Sequence, residues 1–210
     1  MSAIGSMLRG LFSLLSFGVM IALILKMFFV EVVKVPHNGM APTLLAGEYV
    51  AVWRNADVDM TDIVICQHPA RREASVLGRA VAFAGQTVHG DRRGNLVIEG
   101  QTANTQYERQ ASFYDVVREK LFMMRVGEIE YPSRKRHAVM VQKNDEFSMH
   151  AYQISRGVFL LGDNRSDTID DSRSFGEVDP TTCMGQVFMR LFPAPTAAGE
   201  IQHSYFDVAL

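Results

Sequence analysis

The order of apolar and polar positions divides the chain into a long apolar segment near the amino terminus and a region of short runs after it. Residues 11–30 read LFSLLSFGVMIALILKMFFV, with Lys26 as the only charge. A helix of about 20 apolar residues can span a bilayer. A buried core helix more often keeps a polar face, and a cleaved secretory signal needs a small-x-small site, whereas bulky Phe28 and Phe29 stand here. The pattern therefore predicts an uncleaved membrane anchor.

The charges that flank this segment give a weak indication of its orientation. Arg9 precedes the segment and no acidic residue accompanies it, which favours a cytoplasmic position for residues 1–10. Lys26 lies near the far end, where its stem can reach the membrane interface. We therefore expect residues 31–210 to lie outside the cytoplasmic membrane.

Short runs rich in Val, Ile and Phe follow the anchor, and Gly, Asn, Asp or Pro bounds most of them. Such runs are typical of β-strands, and several alternate apolar with polar positions. The predicted strands are EVVKV (31–35), EYVAVW (48–53), DIVIC (62–66), GRAVAF (78–83), NLVIE (95–99), HAVMVQ (137–142) and GVFLLG (157–162). The sequence therefore predicts a mainly β domain folded onto one core.

One region departs from this pattern. Residues 107–125 mix charged and apolar positions at a spacing closer to that of a helix than to that of a strand. We interpret the region as a small excursion from the sheet, with a strand as the alternative. It would belong to a small lobe inserted at about residues 100–137.

Composition narrows the possible functions. A chain of 210 residues has room for one folded domain, or for one domain with a small inserted lobe. Its net charge of −2 gives no support for nucleic-acid binding. Its six histidines never fall at the spacing of metal ligands, so we expect neither a metal site nor a cofactor.

The two cysteines leave two alternatives open. Cys66 and Cys183 lie 117 residues apart, and one long-range disulfide is possible in an oxidising compartment. A lone cysteine is more often a small core residue, so we favour two free, buried thiols.

Three blocks of sequence, in order, carry a resemblance to one family. The first block covers residues 22–52, and its matching positions are Pro36, Met40, Pro42, Thr43, Leu44 and Gly47. The second is GRAVAFAGQTV (78–88), which matches at Arg79, Ala80, Val81, Gly85 and Val88. The third covers residues 157–178 and matches at Gly162, Asp163, Asn164, Arg165, Asp171, Ser172, Arg173 and Gly176. Behind a membrane segment, this series resembles the type I signal peptidases.

The resemblance covers residues 20 to 190, and it implies a signal peptidase-like β-rich domain on a single amino-terminal transmembrane helix. The family's large cap lobe would be mostly reduced. One extra residue separates the two halves of the third block, near residues 166–170. The resemblance also assigns a structural role to a set of motif residues, which are Pro42, Thr43, Arg79, Gly162, Asp163, Asn164, Arg165, Asp171, Ser172 and Arg173.

Signal peptidases cleave a peptide bond with a serine nucleophile and a neutral lysine base, whose pKa burial must lower. The resemblance places the nucleophile position at Gly39 and the general-base position at Gly78. The side-chain contributor to the oxyanion hole would be His37. Glycine can neither attack a carbonyl nor accept a proton, so the chain is expected to lack an intact catalytic group. We also expect the two missing side chains to leave room beside a bound peptide.

The resemblance further implies a cleft that binds a substrate as an added strand, through backbone hydrogen bonds that do not depend on the dyad. Strands 31–36 and 74–78 would form it. The candidate substrate-binding residues are Val32, Val33, Val35, Pro36, Met40 and Leu77.

The functional hypothesis is a non-cleaving pseudoenzyme in a bacterial cytoplasmic (inner) membrane, single-pass, with its carboxy-terminal domain extracytoplasmic. Its partners would be signal peptides or membrane-tethered exported proteins, the lipid bilayer, and an active signal peptidase or an assembly machinery for secretion, surface structures or pili. Two alternatives stay open. The first is an active signal peptidase with a displaced dyad, and the second is a structural membrane tether.

Overall fold

The computed structural model describes residues 2–167, 171–194 and 199–208. The amino-terminal helix α1 (Ser2–Phe28) leads directly into the first strand, β1 (Val30–Lys34). Its stretch Arg9–Phe28 is long and apolar enough to cross a bilayer and is not buried against the domain. A core helix of a soluble domain would be buried, so this helix is a candidate membrane span, in agreement with the predicted anchor. It ends two residues before the predicted boundary, because Val30 already pairs in β1.

The domain consists of two antiparallel sheets. The strands of the first sheet after β1 are β2 (Tyr49–Arg54), β3 (Ile63–Gln67), β4 (Ser75–Phe83), β11 (Val158–Leu161), β12 (Cys183–Phe192) and β13 (Asp207–Val208). Those of the second sheet are β5 (Thr87–Gly90), β6 (Leu96–Ile98), β7 (Gln101–Asp115), β8 (Lys120–Glu130), β9 (Arg136–Gln142) and β10 (Tyr152–Gln153). One short helix, α2 (Ser172–Phe175), and two 3-10 turns (Asn38–Met40 and Pro180–Thr182) complete the described elements.

The strand order places β1 at an edge of the first sheet. This order is β1-β2-β12-β3-β4-β11, and β13 adds to β12. The second sheet has the order β10-β5-β6-β7-β8-β9. All seven predicted strands are present, as β1, β2, β3, β4, β6, β9 and β11. The mainly β fold on one amino-terminal helix is therefore confirmed.

The preferred interpretation of residues 107–125 as an excursion with helical spacing is wrong, and the alternative, a strand, is confirmed. They form most of a long hairpin of β7 and β8, paired from Asn104–Glu130 to Asp115–Lys120 within the second sheet. Along β7 the buried Ala111 and Phe113 alternate with more exposed neighbours, which is the period of a strand. Charges on the outer face obscure that alternation in the sequence. The boundaries of an inserted lobe at about 100–137 stay a prediction.

The tip of this hairpin packs on the loop that follows β1. Buried Ala111, Phe113 and Met124 contact Ala41 and Leu45 in one apolar cluster. The two sheets are therefore joined beside the segment that carries the first motif block.

The preference for free thiols is also wrong, because Cys66 and Cys183 form a disulfide. Cys66 lies in β3 and Cys183 begins β12, and the two strands pair with these residues opposite each other. The sequence separation of 117 residues hides this pairing. It becomes visible only once β12 is known to return between β2 and β3.

We expect the disulfide to stabilise the domain through the long loop that it closes. Replacing both cysteines (Cys66→Ala with Cys183→Ala) should lower the free energy of unfolding by about 2–4 kcal/mol, since closing a long loop restricts the unfolded chain. Urea unfolding of the full chain in detergent, with and without reductant, measures the change. Reductant should destabilise the native chain and leave the double variant unaffected. Two titratable thiols in the unreduced, denatured chain would contradict the bond.

Candidate functional site

The segment from Pro36 to Met40, which we name the Gly39 turn, leaves β1 and forms a 3-10 turn at Asn38–Met40. His37 is its amino-terminal cap, with extended backbone (φ −147°, ψ 171°). The His37 Nδ1 atom accepts a hydrogen bond from the Gly39 N–H at 3.1 Å. A side chain in this position satisfies a donor that the turn leaves unpaired.

The ring of His37 occupies the space that a side chain at position 39 would need. A Cβ atom built on Gly39 would lie 2.8 Å from His37 Nδ1 and 2.9 Å from Cε1. An oxyanion hole requires N–H groups free to face a developing negative charge. Because the Gly39 N–H already donates to His37, this donor is not free for that role in the observed arrangement.

Gly78 lies in β4, opposite Val64 of β3. A Cβ atom at this position would lie 2.9 Å from the Cβ atom of Leu160 in β11. Leu160 is opposite Ala80, so it is a diagonal neighbour of Gly78 across the β4–β11 pair, and diagonal Cβ atoms normally lie further apart than the roughly 4.5–5.5 Å of opposed ones. A Cβ atom at position 78 would therefore force β4 or β11 to shift. The expectation that the two glycines leave open room is therefore wrong, because His37 and Leu160 fill it.

The third motif block holds the Gly39 turn from the other side. The Asn164 N–H donates to the Gly39 carbonyl at 3.0 Å, and the Asn164 Nδ2 donates to the Asn38 carbonyl at 3.3 Å. A Cβ atom on Gly162 would lie 2.5 Å from the Gly39 carbonyl oxygen. Gly162 therefore stands where the backbone of the Gly39 turn approaches the third block, and a side chain there would collide with the Gly39 carbonyl.

One buried ion pair joins all three blocks. The Arg79 Nε and Nη2 atoms donate to the two carboxylate oxygens of Asp163 at 2.9 and 2.7 Å. The Thr43 hydroxyl donates to the same carboxylate, and Arg79 Nη1 donates to the Thr61 carbonyl at 2.7 Å. Burial alone would raise the pKa of Asp163, but Arg79 and the hydrogen bonds outweigh burial and hold this pKa below its usual value.

His137 extends this pair into the second sheet. Its Nδ1 atom lies 3.2 Å from Asp163 Oδ1 and 3.0 Å from the Ala138 carbonyl, and its Nε2 atom lies 3.1 Å from the Tyr131 hydroxyl. Burial lowers the pKa of His137 to about 3. The ring is therefore neutral at physiological pH, with Nδ1–H as the donor and Nε2 as the acceptor. Burial also raises the pKa of Tyr131.

The second half of the third block consists of paired charges and caps. The Arg173 guanidinium contacts both carboxylate oxygens of Asp171 and donates to the Arg165 carbonyl at 2.7 Å. Asp171 caps α2, and the Ser172 hydroxyl accepts from the Leu160 N–H at 2.8 Å. Arg165 is buried over the ring of Phe147. The extra residue expected near 166–170 falls largely on 168–170, outside the described residues.

A contact that the sequence does not reveal connects the Gly39 turn to the hairpin tip. The Asn38 Nδ2 atom donates to Asp115 Oδ1 at 2.8 Å, and its Oδ1 atom accepts from the Ala46 N–H at 2.8 Å. Arg118 pairs with both Asp115 and Asp167, each at 3.1 Å. Asp115 is buried at the end of β7. In the sequence, its position at the end of an alternating run is the one feature that could have indicated this contact.

The structure brings together four of the six candidate substrate-binding residues. Val35, Met40 and Leu77 are buried in one apolar cluster, and Val33 packs against it. Val32 projects from the opposite face of β1, and Pro36 is exposed beyond the strand. A peptide can therefore reach β1 at its backbone and its exposed positions, while three of the apolar side chains lie within the core.

The free edge of β1 supplies unpaired backbone groups. Val35 donates its N–H to the Glu48 carbonyl, and the Phe29 carbonyl accepts from Arg54, so odd-numbered residues face β2. Because narrow and wide pairs alternate in an antiparallel ladder, the N–H groups of Val32 and Lys34 point away from the sheet. These donors are available to an added strand.

A cavity of about 430 Å³ adjoins the end of this edge, lined by Lys34, Val35, Pro36, Ala46, Gly47, Val116 and Val117. It lies between β1 and the hairpin tip, and Val117 is exposed there. Among the described residues, no group of three or more His, Cys, Asp or Glu side chains is arranged to hold a metal ion. The geometry therefore offers an apolar groove and a strand edge.

Comparison with known proteins agrees with the motif blocks. The model of one protein family, described as signal peptidase, peptidase S26, matches residues 8–192. The chain belongs to this family. Signal peptidase I of Pseudomonas aeruginosa is 24% identical over 187 residues, which cover 80% of this chain and 63% of that protein. Signal peptidase I of Aquifex aeolicus is 22% identical over 203 residues, with 81% and 79% coverage. The chain thus spans less than two thirds of the length of the Pseudomonas relative.

A solved structure of a signal peptidase I from Enterococcus faecalis is also similar, with 22% identity and a TM-score of 0.39. The similarity covers 63% of this chain and 97% of that one. Membership of the signal peptidase family therefore stands on the family match. It agrees with the amino-terminal apolar helix and the two-sheet domain.

The buried histidine gives this signal peptidase-family domain a predictable response to acid. The pKa of His137 is about 3 in the folded chain, against an ordinary value of 6.5. Between these values the unfolded chain binds more protons, so the free energy of unfolding should fall as the pH falls, by up to about 1.4 kcal/mol per pH unit from this group. Urea unfolding from pH 7 to pH 4 measures the slope.

The variant His137→Gln should have a shallower slope, whatever its stability at pH 7. The matched control His150→Gln changes an exposed histidine and should keep the steep dependence. An unchanged slope in His137→Gln would show that other groups cause the acid sensitivity.

Proposed function

We propose that this signal peptidase-family chain binds exported or membrane-tethered polypeptides without cleaving them, as a pseudoenzyme in secretion or in surface or pilus assembly. The observation that carries the proposal is the filling of both side-chain positions of the dyad. His37 and Leu160 lie where side chains at Gly39 and Gly78 would begin. A chain that had lost only two side chains would keep the space for them.

The free edge of β1 supports the binding half of the proposal. An extended polypeptide adds to such an edge through main-chain hydrogen bonds, and pockets for alternate side chains give it selectivity. The N–H groups of Val32 and Lys34 would donate to it, and the groove between Pro36 and Val117 would receive an apolar side chain. Neither contact requires the serine or the lysine.

Two features support the proposed location of residues 31–210 outside the inner membrane. Arg9 precedes the apolar segment, which favours a cytoplasmic amino terminus. The disulfide of Cys66 and Cys183 is of a kind that persists in oxidising compartments such as the periplasm. The proposal also includes a protein partner, which would be an active signal peptidase or an assembly machinery.

Two other functions compete with this proposal. An active signal peptidase with a displaced dyad would need a different nucleophile and base, and the nearby hydroxyls of Thr43 and Ser172 are already engaged in the scaffold. A structural tether would bind no signal peptide. A cleavage assay and a binding assay on the same detergent-solubilised chain separate the three.

We expect the purified chain to leave a preprotein with a small-x-small cleavage site uncut above background. The physical reason is that glycine at positions 39 and 78 supplies neither nucleophile nor base. Gel analysis of the preprotein after incubation measures this, with an active signal peptidase as the positive control. Specific cleavage that a signal peptidase inhibitor abolishes would overturn the pseudoenzyme proposal.

The same assay extends to restored side chains. Gly39→Ser alone should stay inactive because its hydroxyl lacks a base. Gly39→Ser with Gly78→Lys should also stay inactive. Gly78→Ala alone should lower the free energy of unfolding, because Leu160 leaves no space for a Cβ atom at position 78.

The proposed binding mode makes a position-dependent prediction for β1. Val32→Pro and Lys34→Pro each remove an outward backbone donor and should weaken binding of an extended signal-peptide segment several-fold while the domain still folds. Val32→Ala and Lys34→Ala keep the N–H and serve as matched controls. Val33→Pro should instead unfold the edge, since that N–H faces β2. Binding measured by fluorescence anisotropy that proline leaves unchanged would favour the tether.

A further inference from the structure

The strand β7 has a free edge along its middle. β6 pairs only with residues 101–103 of β7, whereas β8 pairs with the other side of β7 along residues 104–115. In the described part of the chain, no strand therefore pairs with the side of residues 104–115 that faces away from β8. Such an edge presents N–H and C=O groups that can pair with another chain.

Both ends of this edge are occupied by contacts within the chain. At one end, the Asn95 Oδ1 atom accepts a hydrogen bond from the Thr105 N–H at 3.3 Å. At the other end, the Glu200 N–H donates to the Ser112 carbonyl at 3.1 Å. Thr105 and Ser112 therefore direct backbone groups away from β8, and the free length lies between them.

A β-bulge in this free length determines which backbone groups point outward. The register with β8 shifts between Tyr107 and Arg109, so Glu108 is an extra residue. Inward and outward groups alternate along an antiparallel ladder, and a bulge shifts this alternation by one residue. Counted from the two occupied ends, the outward residues are Tyr107 and Gln110. Among the residues that the structure describes, nothing pairs with these outward groups.

The residues around the bulge are exposed because they lie between two apolar clusters. Ala103 is buried in one cluster and Ala111 in another. The exposed residues between them are Gln106, Glu108, Arg109 and Gln110. The edge is therefore open to solvent where its outward groups are unpaired.

The two charged residues at the bulge have opposite signs. Charged side chains and bulges usually protect an edge from pairing with other chains. An antiparallel pairing of two identical edges can, however, place Tyr107 of each chain opposite Gln110 of the other. Because Glu108 and Arg109 are neighbours between those positions, the same pairing brings each acid opposite the other chain's arginine. Opposite charges across a strand pair are favourable, so this edge is complementary to itself.

We infer that a second copy of this chain pairs with this edge and forms a two-fold symmetric dimer through Tyr107 and Gln110. Two outward residues that lie directly opposite each other exchange two main-chain hydrogen bonds, and the symmetry repeats that pair. A self-complementary patch closes after two copies, and the occupied ends stop the pairing at Thr105 and Ser112. The contact therefore produces a dimer and no growing fibre.

This dimer leaves the edge of β1 free, because β1 belongs to the first sheet and β7 to the second. Each dimer presents two β1 edges. Under the proposed binding function, a polypeptide that reaches both edges would be held more tightly than by one chain, because the second contact forms at a high effective concentration. The dimer itself does not depend on that function.

Exchanging the two charges tests the pairing. The full chain is purified in detergent, and analytical ultracentrifugation over a range of concentrations measures the dissociation constant of the dimer. Glu108→Arg puts two arginines opposite each other, and Arg109→Glu does the same with two glutamates. Each single variant should weaken the dimer by roughly tenfold or more, because like charges directly opposite each other are unfavourable. The double variant, Glu108→Arg with Arg109→Glu, should recover the affinity of the unchanged chain.

Three further variants separate the backbone contact from general effects of charge. Gln110→Pro removes an outward N–H and should weaken the dimer, whereas Gln110→Ala keeps this donor and should not. Glu73→Arg changes an exposed charge in the loop before β4 and should leave the dissociation constant unchanged. Circular dichroism during heating shows whether each variant is folded.

A chain that stays monomeric up to the highest concentration would overturn the inference. A dimer that neither single charge variant weakens would belong to another surface and would overturn it as well, as would a folded double variant that fails to recover the affinity. None of these measurements involves peptide binding or cleavage, so they leave the proposed function to its own assays.

Discussion

The buried pair of Arg79 and Asp163 is the interaction on which the domain depends. It links the second motif block to the third, and the Thr43 hydroxyl adds the first. His137, in β9, contacts the same carboxylate and so links the pair to the second sheet. Removing one partner of a buried pair leaves a charge without compensation, which typically costs about 3–5 kcal/mol. Each of the three blocks therefore supplies part of one buried network, and this structural role does not depend on catalysis.

Much of the fold follows from the sequence because its strands are short, Val-rich and bounded by turn residues. Runs such as 62–66 and 157–162 are buried strands that need no knowledge of their partners. The β7–β8 hairpin is harder to predict, because its outer face carries charges that mask the period of a strand. The disulfide and the Asn38–Asp115 contact join residues 117 and 77 positions apart. Such contacts depend on strand order, which local patterns do not encode.

The candidate site shows the same division between local and distant information. The motif blocks locate Gly39 and Gly78 from their neighbours, and the turn at His-Asn-Gly is expected from its residues. The sequence does not reveal that His37 folds onto the Gly39 N–H, or that Leu160 approaches Gly78. Leu160 is 82 positions beyond Gly78 and reaches it only through the pairing of β11 with β4. Space that looks vacant in an alignment of motifs is filled by tertiary packing.

Filling that space changes what a bound polypeptide can use. His37 and Leu160 lie close to Gly39 and Gly78, and Val35, Met40 and Leu77 lie inside a core cluster. In the proposed binding mode, side-chain pockets at the two glycines would therefore contribute little. The backbone edge of β1 contributes more, because its outward donors are unaffected by either glycine. Main-chain hydrogen bonds tolerate many sequences, so an edge of this kind suits a surface that meets varied exported chains. Under the proposed non-cleaving function, the domain has to keep this strand extended, and the Arg79–Asp163 pair holds the motif blocks that flank it.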